Sequence, residues 1–429
     1  YLGGFAGYLS GSNSVIRNSF SLGNVAAGRD TAGFVGYLSS GKVENSYSTA
    51  SNTNGFHNNG TVTNSYFDST ISGNMAKAEG RATADMKKAA TYTGWNFESI
   101  WEIDEGYPIL QGLKTPEMDV GNYTEIKTAE DLVNINKDLF GMYRLMADID
   151  LKDVAWTPIG TATVPFAGVL DGNGHSIKNL NLNLTAQDYV GLLGYSKGTI
   201  MNLKIEGAEV KGKNYVGVLA GYSKGNVTDV TVDGVTALSG TSYIGGLVGS
   251  SAGDITGSVV SEVTALSSSS QYAGGLVGYS TGNISDIKVN GIGTLNGSSY
   301  VGGLAGYSNG IIKVSEVNGI ATLKGTSSYA GGFIGQNAGT VEESLATNIS
   351  ILNGPNYVGG FAGSNSGTIT DSKANGLSIL TGPDSNVGGF VGYMNGGVIK
   401  KSYATDAVKG SSYVGGFVGY MSSGTIEQC

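Results

Sequence analysis

The sequence predicts an all-β fold, a parallel β-helix (β-solenoid) with coils of about 28 residues and three strands in each coil. The main observation is the glycine-rich stretch 272–279 (YAGGLVGY), because near copies of it return along the chain. A repeat of roughly 20 to 50 residues indicates units that bury no core alone and stack on their neighbours. The last glycines of successive copies lie 27 to 29 residues apart in the second half of the chain. They are Gly194, Gly221, Gly249, Gly278, Gly306, Gly335, Gly363, Gly392 and Gly419, and two earlier copies end at Gly7 and Gly36.

Two further strand patterns follow each copy of this stretch, which we call the marker stretch. Strands that pair with their own copies one coil later place equivalent side chains in columns, and apolar columns form a continuous core. The second strand has a β-branched column: Ile200, Val227, Ile255, Ile284, Ile312, Val341, Ile369, Ile399 and Ile426. The third strand has a leucine column: Leu238, Leu266, Leu295, Leu323, Leu352 and Leu380.

Composition excludes some partners. Charged residues make up 14% of the chain, which contains 71 glycines and 6 prolines, so Ser, Thr, Asn and Gly form most of the surface. The formal net charge is −9, and Lys and Arg form no cluster of the kind that binds phosphate. No apolar run reaches the roughly 18 residues of a membrane-spanning helix. We therefore predict no nucleic-acid partner and no membrane insertion.

Both ends of the chain fall inside a repeat, and no signal peptide is present. The sequence is therefore expected to be a segment of a longer protein whose targeting signals lie elsewhere. The lone cysteine, Cys429, allows no internal disulfide, and scarcity of cysteine suits either the cytosol or a bacterial surface protein.

Changes in the repeat pattern divide the chain into five predicted segments. The marker stretch fades in the first array, where a strand at residues 61–66 follows no marker copy. Glycine, proline and acidic residues later indicate a linker. The predicted boundaries are 1–80 for the decaying first array, 81–110 for a helix- and tryptophan-containing cap, 111–122 for the linker, 123–176 for a start cap with a helix and the first coil, and 177–429 for a second array truncated at its end.

Short helices are predicted in the two caps. Thr83 is expected to cap a helix over residues 84–90 through its hydroxyl. Residues 128–131 (TAED) are expected to open a helix with acidic side chains in its first turn, whose apolar face carries Leu132, Ile135 and Leu139.

Two tryptophans follow the first predicted helix. Trp95 and Trp101 stand beside the end of the first array, where the last coil would leave unpaired N–H and C=O groups. Large aromatic side chains are suited to covering such an edge. We therefore interpret this segment as a cap.

The marker stretch leaves one question open. Strand alternation would place Tyr272, Leu276 and two glycines on one side, and Ala273, Val277, Tyr279 and a glycine on the other. Both sides are apolar, so either could face solvent. The stripe is either half-buried and structural or a docking surface for a neighbouring chain or a sugar.

The marker stretch followed by Tyr-Ser-x-Gly-x-Ile, as at residues 272–284, resembles the GLUG motif, and its copies cover most of residues 1–66 and 186–429. That motif occurs in large bacterial cell-surface proteins, including adhesins, and in the non-catalytic part of zinc peptidases that cleave immunoglobulin A. The resemblance implies an extracellular repetitive β-solenoid without catalysis inside the repeats.

The pattern Gly-x-Ser-x-Gly occurs five times at the coil period. A nucleophile elbow is a single strained turn from strand to helix with a histidine brought to it, whereas here no helix follows and only His57 and His175 are available. We interpret the serines as corner residues and His175 as a turn residue. The serines are Ser196, Ser223, Ser251, Ser280 and Ser308.

Metal and cofactor sites are not predicted either. The chain has no His-Glu-x-x-His motif and no calcium-binding loop of known spacing. We predict no catalytic residue, no cofactor-binding residue and no metal ligand.

Carboxylate pairs are the main enzymatic alternative, because β-helices often carry glycoside hydrolases that use two acidic groups. Four acidic residues share one column that Gly257, Val314 and Lys401 interrupt, and a second candidate pair combines Glu342 with Asp371. We interpret the column as a solvated face. Its acidic members are Asp229, Asp286, Glu343 and Asp371.

The predicted function is that of a structural or adhesive surface protein, extracellular on a bacterial cell or secreted, which forms a stiff stalk or fibre segment and is not an enzyme. The expected partners are copies of the same chain or glycans or proteins of a host or cell surface. Two alternatives remain: a carbohydrate-active β-helix enzyme, and the spacer region of a larger secreted protease.

Overall fold

The computed structural model describes residues 2–21, 31–49, 56–57, 60–72, 78–103, 107–110, 123–382 and 386–429. The chain divides into two compact units, Tyr1–Asp119 and Val120–Cys429. The predicted linker at 111–122 lies outside the described residues. The segment boundaries given above stay predictions.

The predicted parallel β-solenoid is confirmed in the second unit. Each described strand pair there is parallel, and Leu295 stands between Leu266 and Leu323 in the neighbouring coils. The N–H of Leu276 donates to the carbonyl of Leu304 at 2.9 Å, as that of Leu247 does to Leu276. These leucines are buried, so the columns predicted from the repeat form the core.

The marker stretch consists of two strands with a bend between them. In the copy at 272–279 the bend lies at Gly275 and Leu276, and Leu276 and its neighbour Val277 are both fully buried. A straight strand would point these neighbouring side chains to opposite faces. The prediction that the marker stretch alternates between two sides is therefore wrong, because the bend turns both aliphatic residues inward.

Four strand segments therefore follow one another in each coil. The first part of the marker stretch and the third predicted strand belong to one large sheet; the second part and the second predicted strand belong to the other. First-part segments are Asn214–Gly217, Ser299–Gly302, Tyr329–Gly331, Tyr357–Gly359, Asn386–Gly388 and Val414–Gly415. Second-part segments are Leu193–Ser196, Ala220–Ser223, Val248–Ser251, Val277–Ser280, Ala305–Ser308, Ile334–Asn337 and Ala362–Asn365.

The remaining segments complete the coils. Those of the second predicted strand are Thr199–Met201, Val227–Thr228, Ile255–Thr256, Ile284–Ser285, Ile311–Lys313, Thr340–Glu342 and Thr368–Thr370, and the strands Val391–Lys400 and Val418–Glu427 join it to the marker's second part. Those of the third are Ser176–Asn183, Lys204–Lys211, Thr231–Gly245, Val259–Gly274, Lys288–Gly297, Glu316–Gly325, Leu345–Asn353, Lys373–Asn375, Ile379–Gly382, Tyr403–Ala404 and Val408–Gly410. Two of these, Thr231–Gly245 and Val259–Gly274, run on into the next marker stretch.

Each coil turns a corner after its second predicted strand, at a residue with positive φ. Asp229 has φ 52°, Asp286 has φ 56° and Val314 has φ 47°. Asn, Asp and Gly tolerate this left-handed conformation best. The acidic column read from the sequence is therefore a column of corner residues, and its carboxylates are exposed.

A buried serine follows each of several corners and ties two coils together. The backbone N–H of Ser344 donates to Ser372 Oγ at 3.2 Å, and that hydroxyl donates to the carbonyl of Thr370 at 2.8 Å. The same arrangement joins Ser372 to Ser402. These bonds satisfy buried backbone groups where the strand ladder is interrupted.

The second unit has the predicted helix near its start, but Leu139, which was expected on the apolar face of the helix, lies beyond its end. The α-helix Ala129–Asn134 continues into a 3-10 turn, Ile135–Lys137, and Thr128 forms a capping box with Asp131. The strand Thr124–Ile126 precedes the helix, and the strands Met142–Leu145, Ile149–Asp150 and Val169–Asp171 lead from it into the first coil.

The buried carboxylate of Asp171 fixes this start. Arg144 Nε donates to Asp171 Oδ2 at 2.9 Å, and Asn202 Nδ2 donates to Oδ1 at 3.1 Å. The guanidinium of Arg144 also lies 3.9 Å from the centre of the Tyr123 ring. The ion pair is therefore part of a hydrogen-bonded network, as a buried charge requires.

The first unit contains a short array with a position that the sequence reading missed. Phe56 stacks on Phe34 at 4.6 Å, Phe34 stacks on Phe5 at 4.9 Å, and His57 forms a parallel bridge with Val35. Phe56 and His57 thus take the marker's place in the third coil. The strands are Leu2–Gly3, Ala6–Leu9, Val15–Arg17, Phe20–Ser21, Thr31–Ala32, Val35–Leu38, Lys42–Glu44, Tyr47–Ser48, Thr61–Thr63, Tyr66–Asp68 and Glu79–Arg81.

The aromatic residues that follow pack on this array. The ring centroids of Trp95 and Trp101 lie 4.3 Å apart, and Trp95 Nε1 donates to the carbonyl oxygen of Asn64 at 2.8 Å. The hydroxyl of Tyr47 donates to the carbonyl oxygen of Pro108 at 2.8 Å. The strands Trp101–Glu102 and Ile109–Leu110 pair antiparallel.

The helices of this unit differ from the prediction. In the described part of the unit they are Ser69–Ser72, Thr83–Met86 and the 3-10 turn Ala89–Thr91. Ala82, which has no side-chain oxygen, holds the N-cap position, and Thr83 is the first helical residue. The prediction that Thr83 caps a helix over 84–90 is therefore wrong.

Candidate functional site: a tyrosine stripe

Tyrosines of successive coils stack in a ladder on the outer surface of the second unit. Seven successive copies of the marker stretch each supply one ring ahead of the bend, and neighbouring ring centroids lie 4.4 to 5.2 Å apart. The rings are half-buried. This first ladder consists of Tyr189, Tyr215, Tyr243, Tyr272, Tyr300, Tyr329 and Tyr357.

A second, interrupted ladder runs beside the first. Its rings come from the part of the marker stretch after the bend, and Tyr279 stacks on Tyr307 at 4.8 Å. The bend brings Tyr272 and Tyr279 to the same side, where their rings meet edge to face at 5.3 Å. The register of the second ladder is Tyr195, Tyr222, Ser250, Tyr279, Tyr307, Gln336, Ser364, Tyr393 and Tyr420. We call the two ladders together the tyrosine stripe.

The first ladder carries repeated backbone strain. Five successive tyrosines hold φ between 56° and 61°. A bulky side chain in the left-handed region costs about 1–2 kcal/mol, and ring stacking offsets about 0.5–1.5 kcal/mol for each pair. Strain of this kind tends to be kept at functional sites. The five residues are Tyr189, Tyr215, Tyr243, Tyr272 and Tyr300.

The stripe is uncharged at neutral pH. Partial burial, with a smaller effect of neighbouring tyrosines, raises the pKa of Tyr215 and of Tyr272 to about 12. The same cause raises the pKa of Tyr222, Tyr307 and Tyr329. The hydroxyls of these five tyrosines therefore remain protonated and can both donate and accept hydrogen bonds.

The stripe contains a depression of about 330 Å³ where Ser250 interrupts the second ladder. Tyr222 and Tyr279 stand on either side of this position, one coil away in each direction. Tyr243 of the first ladder, Ser251 and Thr281 also line it. Aromatic faces and hydroxyls thus converge on one open space.

The five serines of the Gly-x-Ser-x-Gly copies are buried, and each is the last residue of a strand in the second part of the marker stretch. Ser223 Oγ donates to the carbonyl of Gly225 at 2.9 Å, and Ser251 Oγ donates to that of Gly253 at 2.8 Å. Neither hydroxyl bonds to a histidine. In two later coils Asn337 and Asn365 take this position and bond to each other at 2.8 Å.

Two of the carboxylate pairs considered from the sequence are not neighbours in the structure. Glu342 pairs in register with Thr370 rather than with Asp371, and its carboxylate binds Lys313 at 2.8 Å. Asp229 and Asp286 are separated by the coil of Gly257. Within the ranges that the structure covers, no group of three or more His, Cys, Asp or Glu side chains is placed to hold a metal ion.

His175 lies beside a turn, as the sequence predicted. Its Nδ1 is 3.4 Å from Asp148 Oδ1, and Lys178 binds the same carboxylate at 2.9 Å. The hydrogen bonds from Lys178 and Ser176 hold the pKa of Asp148 well below its usual range.

Among the described residues, none of the helices has the length and apolar character that crossing a bilayer requires.

The sequence reading raised an apolar stripe along the marker stretch but missed that its two tyrosines share one face, because it assumed a straight strand. Tyr272 and Tyr279 are seven residues apart, an odd separation, so simple alternation places them on opposite faces. The signal was the Gly-Gly pair between them, which permits a bend. The repeated Asn, Asp and Gly of the corner column likewise pointed to positive φ.

The fold and the stripe define a repetitive β-solenoid protein in which the same surface recurs coil after coil. Residues 354–380 match the GLUG motif, so the resemblance seen in the marker stretch is confirmed. This chain is a repeat protein that carries that motif.

Two curated relatives match parts of the chain. One is Halomucin of Haloquadratum walsbyi, 33% identical over 178 residues, a match that covers 37% of this chain and 2% of that protein. The other is assigned as a Gly-rich membrane protein of Evansella cellulosilytica, 38% identical over 122 residues, covering 23% of this chain and 14% of that protein. The matched part is thus a small share of the length of either relative.

A solved structure is also similar. It is assigned as an immunoglobulin A1 protease of Bacteroides ovatus, with 18% identity and a TM-score of 0.32 over 72% of this chain and 74% of that one. At that score the similarity carries no argument about function.

Proposed function

We propose that this chain is a stiff segment of an extracellular surface protein, on a bacterial cell or secreted, that acts as a stalk or fibre and adheres through the tyrosine stripe. We propose no catalysis in this segment. The observation that carries the proposal is the stripe itself, in which one uncharged aromatic surface is repeated over many coils.

Stiffness follows from the way each coil is joined to the next. Parallel strand pairs and a continuous apolar core run through the second unit. Each coil adds about 4.8 Å of length. Bending the rod would open backbone hydrogen bonds and part the stacked core at once, so the structure suits a spacer that holds a surface at a distance.

Adhesion is supported by the chemistry of the stripe. Tyrosine offers a large apolar face and a polar hydroxyl with only two side-chain torsions to fix, which makes it a common contact residue at interfaces. Repetition of the same surface gives many weak contacts that act together. The proposed partners are cell-surface glycans or proteins, or copies of this chain.

The relatives agree with this setting. One is named Halomucin and another is assigned as a Gly-rich membrane protein. Both names suit proteins at a cell boundary, and we place this chain in the same setting by analogy.

The test compares binding of the purified chain to surfaces coated with a mucin-type glycoprotein, before and after enzymatic removal of its glycans. The double variant Tyr300→Asn/Tyr329→Asn interrupts the first ladder, and Asn386 shows that the column accepts asparagine. We expect binding by the wild type and a loss of about tenfold or more in the double variant.

A matched control keeps this test specific. Thr294 and Thr322 are paired in the third strand, away from the stripe, and are half-buried. The variant Thr294→Ser/Thr322→Ser should bind like the wild type. Failure of the wild type to bind either coated surface, or equal loss in both variants, would contradict the role of the stripe.

A further inference from the structure

We propose that the interruption of the second ladder at Ser250 is a binding slot for one pyranose ring of a neutral glycan. This inference rests on the proposed adhesive function and gives it one defined site. Where tyrosines are consecutive in this ladder their rings stack, as Tyr195 does on Tyr222 at 4.7 Å, while Gln336 and Ser364 form a longer interruption of two adjacent coils. At Ser250 the ring is missing and the neighbours remain.

The width of the slot follows from the coil repeat. Tyr222 and Tyr279 lie two coils apart, which corresponds to roughly 9.6 Å between their rings. A flat ring placed midway would lie about 4.8 Å from each aromatic face, within the range of favourable stacking. A pyranose ring carries C–H groups on both faces, so it can pack against Tyr222 and Tyr279 together.

The base and side of the slot supply polar partners. Ser250 is only 3% exposed and lies at the base, while Thr281 is exposed at the rim. Tyr243 closes one side with its ring. The hydroxyls of Thr281 and Tyr243 can bond to the hydroxyls of a sugar, and Ser250 lies covered beneath them.

The volume of the slot and the absence of charge in its lining restrict the ligands that can bind. A volume of about 330 Å³ falls at the lower end of the range of roughly 300–1,000 Å³ for small-ligand sites. The residues that line it are tyrosines, serines and a threonine, with no charged side chain among them. An uncharged hexose or N-acetylhexosamine unit fits this lining, and a sialic acid or uronate would find no cation.

The decisive variant is Ser250→Tyr, which inserts the missing ring and fills the slot. The register of Ser250 with Tyr222 and Tyr279 means that the new ring should stack on both, so the variant should fold. Gln336→Tyr is the matched control, since Gln336 occupies the same ladder next to Tyr307 and lies outside the slot. It adds a tyrosine and leaves the slot open.

The experiment uses NMR to measure the transfer of saturation from protons of the full chain to protons of a methyl glycoside. The methyl glycosides of glucose, galactose, mannose and N-acetylglucosamine are tested one at a time. We expect transfer to the ring protons of at least one glycoside in the wild type and in Gln336→Tyr. In Ser250→Tyr that transfer should fall by about tenfold or more. Thermal unfolding of all three proteins verifies that the variants are folded.

Two results would overturn the slot. One is absence of transfer to all four glycosides in the wild type, and the other is equal transfer in folded Ser250→Tyr. The glycoprotein-coated surface separates this inference from the proposed function. If the wild type and Ser250→Tyr bind the coated surface equally and no glycoside gives transfer, the proposed slot is wrong. The proposed adhesive function of the stripe would still stand in that case.

Discussion

Phe361 stacks on Phe390 of the next coil with their ring centroids 4.8 Å apart and an interplanar angle of 12°. Phe361 also stacks on Phe333 at 4.6 Å, and all three rings are fully buried. Earlier coils hold leucine in this column, as at Leu304. The side chain at the bend of each marker stretch is therefore a main source of cohesion between coils.

Replacing Phe361 tests that role. Phe361→Ala should lower the free energy of unfolding by about 3–5 kcal/mol, because it leaves a cavity between two aromatic rings. Phe361→Leu, which restores the residue type of the earlier coils, should cost less than about 1.5 kcal/mol. Denaturant unfolding of both variants measures the difference, and equal losses would contradict the stacking argument.

Close approach of coils should make one glycine irreplaceable. A Cβ on Gly275 would lie 2.1 Å from the carbonyl oxygen of Gly303 in the next coil, whereas a Cβ on Gly325, in the third strand of a coil inside the array, would come no closer than 3.3 Å to its nearest neighbour, the Cβ of Ala330. Gly275→Ala should therefore destabilise the chain by more than about 2 kcal/mol. Gly325→Ala should lower the thermal unfolding midpoint much less than Gly275→Ala, and similar shifts for the two variants would contradict the prediction.

Replacing Val314 should increase the stability of the fold. It is a β-branched residue with φ 47° at a corner where neighbouring coils carry Asp, Glu and Gly, and 52% of its surface is exposed. Val314→Asn should raise the free energy of unfolding by about 1 kcal/mol, because asparagine tolerates the left-handed region. Ile311→Asn is the control, since Ile311 is also exposed but lies in a strand without positive φ. If both changes stabilise the chain, the cause would be the removal of an exposed apolar side chain rather than the positive φ of Val314.

Alkaline pH should weaken the stripe. The pKa of Tyr272 is about 12 in the folded chain and about 10 in an unfolded one. Between these two pKa values the folded chain holds the Tyr272 proton more tightly than the unfolded chain does. The contribution of Tyr272 to folding stability is therefore complete below pH of about 10 and is lost as the pH rises towards 12. The near-ultraviolet absorbance of tyrosinate, measured as wild type minus Tyr272→Phe, should titrate near pH 12. A difference titration near the ordinary tyrosine value would contradict this.

The capping box should stabilise the start of the second unit. Thr128 Oγ1 accepts a hydrogen bond from the N–H of Asp131 at 3.1 Å, and the N–H of Thr128 donates to the Asp131 carboxylate at 2.9 Å. Thr128→Ala should cost about 1 kcal/mol of unfolding free energy. Thr128→Ser keeps the acceptor and should cost only a few tenths. Hydrogen exchange at the amide of Asp131 should increase only in the alanine variant.

The sequence by itself determined the coil period, the stacked columns and the capping helix at Thr128, because each depends on residues whose spacing is fixed along the chain. Leu276 and Leu304 are one period apart, and parallel pairing then makes them neighbours. The GLUG resemblance came from the same repeated letters.

Only the tertiary structure decided which side chains meet on the surface. The bend at Gly275 turns Leu276 and Val277 inward together and brings Tyr272 and Tyr279 to one face. Strand alternation cannot predict that outcome, because a change of backbone direction depends on the coil above as well as on the local residues. The slot at Ser250 is likewise invisible in the sequence, since an interruption has meaning only when its neighbours are known to be stacked rings.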